Sequence, residues 1–141
     1  MISMLTKSDL EKLAQIRLDD AVLLFQAGRS SSAYYLVGYA VELALKVCIA
    51  ELILPNAIPD KELIIATYKH NLDSLLGTAG LRPQFDQDRK TDTQFGAYWA
   101  IANNWNEESR YAIWDPVSAA TLLEAVNEPK HGVFQWVRKH W

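Results

Sequence analysis

The chain has 141 residues, a formal net charge of −3 and 50% hydrophobic residues. This length predicts one domain over residues 1–141, and the hydrophobic content is sufficient for a single core. The acidic balance argues against a protein that coats nucleic acid electrostatically, although it leaves room for a local basic patch. Because Cys48 is the one cysteine, no disulfide can form within the chain, and we expect a cytoplasmic location.

The sequence predicts neither a signal peptide nor a membrane span. The start, MISMLTKSDLEKL, lacks a basic segment followed by an apolar one. Residues 33–52 form a long apolar run, but Glu42 and Lys46 lie near its middle. A charged residue near the bilayer centre costs roughly 2.5–3.5 kcal/mol on insertion scales. We therefore expect this run to be a buried core helix and expect no contact with a membrane.

The first predicted helix begins at the capping-box pattern SDLE, in which Ser8 can satisfy a free amide and Glu11 can reach back. Gly28 is the predicted C-terminal stop. Arg17 falls on the apolar stripe of this helix, which places a charge near the core. The apolar residues that recur at helical spacing are Leu10, Leu13, Ala14, Ala21, Leu24 and Phe25.

A second helix is predicted over residues 32–54. The serines of the turn GRSSS are its expected caps, and Pro55 and Pro59 end it. A third helical region follows Asp60 and is broken near His70. Its later part places three leucines on one face, namely Leu72, Leu75 and Leu76.

The polar segment 82–94 is predicted to be partly irregular, and a fourth helix follows it. Asp115 is a predicted N-cap with Pro116 at the first helical position. Pro129 should break that helix, and a last helix is expected over residues 130–140. Since no alternating strand pattern occurs, we predict an all-α antiparallel bundle of about five helices. The fourth helix is marked by Phe95, Trp99, Ala102 and Trp105.

One strip of the second predicted helix is polar, and its role has three interpretations. It can be an exposed ion pair of Glu42 with Lys46 four residues later. It can be a structural seam inside the bundle or at a dimer face, with Arg17 or Arg110 as a partner for Glu42. It can also line a ligand or nucleotide site. The strip comprises Tyr35, Tyr39, Glu42 and Lys46.

Three segments carry a family resemblance. Residues 17–49 contain an Arg-Leu-x-Asp-Ala opening, a Gly-Arg turn and the segment Ala-x-Tyr-Leu-x-Gly-Tyr-Ala-x-Glu, with a lysine four residues after that glutamate. KHNLDSLL, residues 69–76, is similar to a third-helix region that often begins with His. NWNEESRYAIW, residues 104–114, is similar to a later Trp…Arg-Tyr segment. Over residues 8–126 the chain therefore resembles the HEPN-domain family.

This resemblance implies a helical bundle that forms homodimers. Many such domains are metal-independent ribonucleases, often toxins paired with a nucleotidyltransferase-like antitoxin. Others are non-catalytic and bind nucleotides or partner proteins. The catalytic members carry Arg-x4–6-His, in which His serves as general acid or base and Arg stabilises negative charge on phosphate.

The sequence departs from the catalytic pattern of the family. No histidine follows an arginine at the required spacing. Arg110 is the best positional match for the family arginine, but YAIWDPV follows it, and Asp115 stands about where the histidine would be. Arg110 and His70 remain the weak catalytic candidates. We therefore do not carry ribonuclease activity over to this chain.

Other candidate sites are few. The three histidines and one cysteine form no zinc pattern, and we expect neither a metal nor a cofactor. Cys48 is predicted to be a small core residue. Trp105, Arg110 and Tyr111, beside an acidic pair, form the most site-like cluster, whose alternative interpretation is a salt-bridged helix end.

Three hypotheses of function follow. The leading one is a non-catalytic or divergent HEPN-like homodimer that binds a partner protein or a nucleotide through a polar seam. The second is a divergent metal-independent ribonuclease toxin that uses Arg110 and His70 on RNA. The third is a structural bundle without a ligand. The seam residues are Arg17, Tyr39, Glu42, Lys46, Trp105, Arg110 and Tyr111.

Overall fold

The computed structural model of the protein describes residues 5–141, which fold into eight α-helices and one 3₁₀ helix without a strand. The all-α prediction is confirmed for these residues, and they hold more helices than the five predicted. The 3₁₀ helix, Glu107–Tyr111, lies between α6 and α7. The α-helices are α1 (Lys7–Gln26), α2 (Ser30–Glu51), α3 (Lys61–Thr67), α4 (Leu72–Thr78), α5 (Arg82–Thr91), α6 (Thr93–Ala102), α7 (Pro116–Asn127) and α8 (Val133–Arg138).

The helix α2 is the centre of the fold. It forms an antiparallel hairpin with α1, and an ion pair of 2.7 Å between Lys7 Nζ and Glu51 Oε2 joins the start of α1 to the end of α2. It also contacts α4, α7, α8 and the 3₁₀ helix.

By length and composition α2 could cross a membrane, but 72% of its most apolar 18-residue window is buried inside the fold. As predicted, Cys48 lies in this core, and its burial raises the pKa of the thiol to about 11.

The predicted caps of the first two helices are wrong. The N-cap of α1 is Thr6, whose hydroxyl accepts from Asp9 N–H while the Asp9 carboxylate accepts from Thr6 N–H, both at 3.1 Å. This pair has the same spacing as Ser8 and Glu11, but it lies two residues earlier and extends the helix. The N-cap of α2 is Arg29, and no side chain caps this helix.

The predicted irregular segment 82–94 is also corrected, because most of it forms α5. Its single large apolar residue, Phe85, is buried against the rings of Phe95, Trp99 and Trp136. In addition, the indole of Trp136 donates to Asp88 Oδ2 at 2.8 Å. Packing against distant aromatic residues therefore fixes a helix whose own sequence is polar.

Most of the remaining predicted helix boundaries are confirmed. The break near His70 is confirmed, since α3 ends at Thr67 and Asn71 caps α4. The cap at Asp115 is confirmed by a hydrogen bond of 2.7 Å from Ser118 N–H to its carboxylate.

The helix that Pro129 was expected to break ends at Asn127. The last helix, α8, is shorter than predicted because residues 129–131 form a turn and Gly132 is its N-cap.

A close contact between α2 and the segment after α6 depends on Gly38. The buried indole of Trp105 lies over this glycine, and a Cβ atom at that position would overlap the ring. The indole also packs on Tyr35, one turn earlier on α2, with ring centroids 6.0 Å apart. Gly38 therefore allows Trp105 to lie flat against α2 and to support the tyrosines beside it.

We predict that Gly38→Ala lowers the free energy of unfolding by about 1–3 kcal/mol, because the new methyl group overpacks the Trp105 contact. Gly77→Ala is the matched control, since Gly77 lies in α4 with open space around its Cα. Alanine should stabilise that helix by about 1 kcal/mol. Urea unfolding of both variants measures the difference, and equal effects would contradict the close contact.

Candidate functional site

A buried carboxylate lies at the middle of α2. The side chain of Glu42 is only 3% exposed, because the residues before and after it on α2 belong to the core. Its Oε2 atom lies 3.2 Å from Lys46 Nζ and 3.0 Å from His70 Nδ1. A buried charge without partners is costly, so these two contacts account for a carboxylate at this position.

The second partner, His70, comes from the connection between α3 and α4. Its side chain is 46% exposed, so the ring leads from the buried carboxylate to the surface. There His70 Nε2 lies 3.3 Å from Glu107 Oε2, at the start of the 3₁₀ helix. The imidazole therefore connects α2 to the 3₁₀ helix through one carboxylate on each side.

The two arginines predicted as partners of Glu42 do not contact it. Arg17 Nη1 lies 3.7 Å from Asp20 Oδ2, one turn further along α1. Arg110 belongs to the 3₁₀ helix and forms no ion pair with any residue from 5 to 141. The sequence correctly indicated that Glu42 needs partners, but Lys46 and His70 supply them.

These side chains line one cavity of about 330 Å³, which we call the polar groove. Its apolar lining comes from Leu5, Leu10 and Leu43. The size and the few convergent polar groups are typical of small-molecule sites. The polar and aromatic residues of the groove are Tyr35, Tyr39, Glu42, Lys46, His70, Glu107 and Arg110.

Arg110 stands between the polar groove and a second cavity. This adjoining cavity measures about 430 Å³, and it shares Tyr35 and Arg110 with the groove. The guanidinium lies 4.8 Å from the ring centroid of the exposed Tyr111. Tyr111 raises the pKa of Arg110 most strongly and Tyr35 raises it further, so Arg110 is charged in water at any ordinary pH.

The aromatic residues of the predicted seam occupy different depths. Trp105 is buried behind Tyr35, and its indole N–H has no hydrogen-bond partner within the described part of the chain. Tyr39 is half-buried and its ring stacks near Tyr35, at 5.9 Å between centroids. Burial and then the charge of Glu42 raise the pKa of Tyr39, so the phenol stays protonated.

The structure thus places Tyr39, Glu42, Lys46, Arg110 and His70 around one cavity, with Trp105 beneath it. Arg17 lies outside this lining, and Tyr111 borders it through Arg110. Sequence reasoning placed Glu107 in the acidic pair beside Arg110, but it missed the contacts of His70 with Glu107 and with Glu42. His70 lies 28 residues from Glu42, and the only signal was the unmet need of a buried charge.

The groove can bind an anion or exchange a proton. Arg110 can contact a phosphate bidentately, and the imidazole of His70 can donate or accept a proton. From Leu5 to Trp141, no group of three or more His, Cys, Asp or Glu side chains could hold a metal ion. His131 pairs instead with a single carboxylate, at 2.7 Å from Asp92, which lowers the pKa of Asp92.

Comparisons with known proteins add no assignment for this groove. No family model matches the chain, and neither a curated protein nor a solved structure matches it. Two observations therefore bear on function, namely the geometry of the groove and the family resemblance of the sequence.

We predict that Glu42→Ala lowers the free energy of unfolding by about 3–5 kcal/mol, because it leaves the amino group of Lys46 without its partner in a mostly buried position. Glu107→Ala removes the other carboxylate that faces His70, but this half-exposed pair should contribute less than about 1 kcal/mol. Chemical denaturation of the two variants tests this contrast. A loss of the same size in both would contradict the central position of Glu42.

Proposed function

We propose that the protein is a HEPN-like helical domain that forms homodimers and binds a nucleotide in the polar groove. The resemblance of residues 17–49 supports the family, and in the structure these residues form most of the α1–α2 hairpin. The groove lies along α2, on the strip that carries Tyr39, Glu42 and Lys46.

The observation that carries this proposal is the position of Arg110. It is exposed, it pairs with no carboxylate within residues 5–141, and it lies at the boundary of two adjoining cavities. A guanidinium free of carboxylates is a suitable partner for a phosphate. The rings of Tyr35 and Tyr39 beside it offer surfaces on which a base can stack.

The acidic residues of the groove set its selectivity. Glu42 is paired with Lys46 and faces His70, so the buried end of the groove carries no unpaired carboxylate. Glu107 faces His70 and leaves Arg110 unpaired. A nucleotide would therefore place its phosphates toward Arg110 and its base or sugar over the tyrosines.

The second candidate function is a divergent metal-independent ribonuclease. One observation favours it: His70 and Arg110, the two groups that such chemistry needs, line the same cavity. Against it, Glu42 and Glu107 occupy both ring nitrogens of His70, and the Arg-x4–6-His motif is absent. Nucleotide binding without cleavage is therefore our leading proposal.

An apolar patch near the groove supports a homodimer. No residue of α3 is buried, and a cavity lined by Ile53, Ile64 and Tyr68 shares Leu5 and Lys46 with the polar groove. Contiguous exposed apolar surface of this kind marks association sites. A second copy seated here would also border the groove near Lys46. The patch consists of Leu52, Ile53, Leu54, Ile58, Ile64, Ile65 and Tyr68.

We predict that ATP binds the protein in the presence of EDTA and that Arg110→Gln weakens the affinity about tenfold or more, since a charge-assisted bidentate contact is lost. Arg89→Gln is the control, because Arg89 is an exposed arginine of α5 outside the groove. Isothermal titration calorimetry measures both. Equal affinities, or no heat with the wild type, would contradict nucleotide binding at Arg110.

An RNA-cleavage assay in EDTA separates the two candidate functions. The leading proposal predicts no cleavage by the folded wild-type protein. Cleavage that disappears in both Arg110→Ala and His70→Ala would establish the ribonuclease instead.

We predict that the wild-type protein is a dimer and that Ile65→Asp makes it a monomer, because an aspartate in the apolar patch cannot be buried without a partner. Leu23→Asp is the matched control, since Leu23 is exposed to a similar extent near the C-terminal end of α1, outside the patch. Light scattering coupled to gel filtration measures the mass. A monomeric wild type, or a monomer produced by Leu23→Asp alone, would contradict this interface.

A further inference from the structure

The polar groove makes up only part of the concave surface around Arg110. The adjoining cavity measures about 430 Å³, against about 330 Å³ for the groove. Each of the two volumes is typical of a site for a small molecule. A single nucleotide with its base over Tyr39 and its phosphate at Arg110 leaves the adjoining cavity unfilled. A ligand that fills both cavities must therefore extend past Arg110 on two sides.

The adjoining cavity differs from the groove in its chemistry. Glu42, Lys46, His70 and Glu107 line the groove, whereas Arg110 is the one charged side chain among the described residues that line the adjoining cavity. The rest of its wall is apolar or carries a hydroxyl group. Such a wall suits a nucleoside, because a base has apolar faces and a ribose forms hydrogen bonds. Besides Tyr35 and Arg110, the lining consists of Leu24, Ser31, Ser32, Leu36 and Ala112.

Contacts within the protein hold two walls of the adjoining cavity in place. The hydroxyl of Ser31 accepts from Trp114 N–H at 2.8 Å and donates to Trp114 O at 3.5 Å, which ties α2 to the segment before α7. The ring centroid of Tyr35 lies 6.0 Å from that of Trp105 and 5.9 Å from that of Tyr39. The cavity is therefore formed before a ligand binds, which lowers the entropic cost of binding.

One positive charge lies at the boundary of the two cavities. Arg110 lines both of them and forms no ion pair with any residue from 5 to 141. Lys46, the one lysine among the described lining residues, lies 3.2 Å from Glu42 and is already paired. The available charge therefore matches the single negative charge of a phosphodiester, whose two free oxygens a guanidinium can bind together.

We propose that the ligand of this surface is a dinucleotide, in which one phosphodiester joins two nucleosides. The phosphodiester lies at Arg110, one nucleoside lies in the groove beside Tyr39, and the other lies in the adjoining cavity against Leu36 and Ala112. This inference rests on the proposed nucleotide function and names the class of nucleotide. The same chemistry occurs in a free dinucleotide and in two consecutive nucleotides of a single-stranded RNA.

Isothermal titration calorimetry in EDTA, with AMP and with the dinucleotide ApA, tests the proposal. We expect ApA to bind about tenfold more tightly than AMP, because its second nucleoside is buried in the adjoining cavity. Arg110→Gln should weaken the binding of both ligands. If neither ligand binds the wild type, the proposed nucleotide function fails and this inference fails with it. If AMP binds and ApA binds no more tightly, the dinucleotide alone is overturned.

A variant that fills the adjoining cavity provides a second test. Ser32 and Ala112 are exposed and line this cavity but not the groove. The combined variant Ser32→Leu, Ala112→Leu should bind AMP as the wild type does and should lose most of the additional affinity for ApA. Ala120→Leu is the control, because Ala120 is an exposed alanine of α7 outside both cavities. An unchanged affinity of the combined variant for ApA would overturn the proposal.

The tetranucleotide ApApApA distinguishes the two sources of the ligand. An affinity equal to or above that of ApA identifies a section of an RNA chain, because flanking nucleotides are then tolerated at both ends. A weaker affinity identifies a free dinucleotide that the two cavities enclose.

Discussion

The fold and its candidate site both depend on one buried carboxylate. Glu42 lies on α2, the helix that contacts α1, α4, α7, α8 and the 3₁₀ helix, and its side chain is only 3% exposed. The amino group of Lys46, on the same helix, contacts the Glu42 carboxylate, and His70 contacts it from the connection between α3 and α4. The contact with His70 therefore has two effects. It gives the buried carboxylate a partner, and it holds the connection between α3 and α4 against α2 at one side of the groove.

The aromatic residues give this side of the molecule its rigidity. Trp105 packs flat over Gly38 and against Tyr35, so this tyrosine of the groove lining rests on a buried indole. A groove built on a core helix and a buried ring is pre-formed, and a pre-formed site avoids the entropic cost of ordering its side chains when a ligand binds. Arg110 is the exception, because it is an exposed side chain on a short 3₁₀ helix.

The sequence was most informative where local chemistry decides the structure. The cap at Asp115, the break before Asn71 and the burial of Cys48 follow from residue types and their immediate neighbours. It was least informative where distant packing decides, as in α5, whose polar sequence becomes helical through Phe85. For the site, charge burial indicated that Glu42 needs partners. The identity of His70 could not be predicted, because the contact spans 28 residues and depends on the tertiary fold.

The role of Glu42 is tested most directly by a double-mutant cycle with Lys46, measured by urea unfolding of Glu42→Gln, Lys46→Met and the combined variant. We expect a coupling free energy above about 1 kcal/mol, because both side chains are largely buried and lie 3.2 Å apart. Additive effects, within about 0.5 kcal/mol, would show that the two charges do not stabilise one another. The contact between Glu42 and Lys46 would then not be the interaction that stabilises this side of the groove.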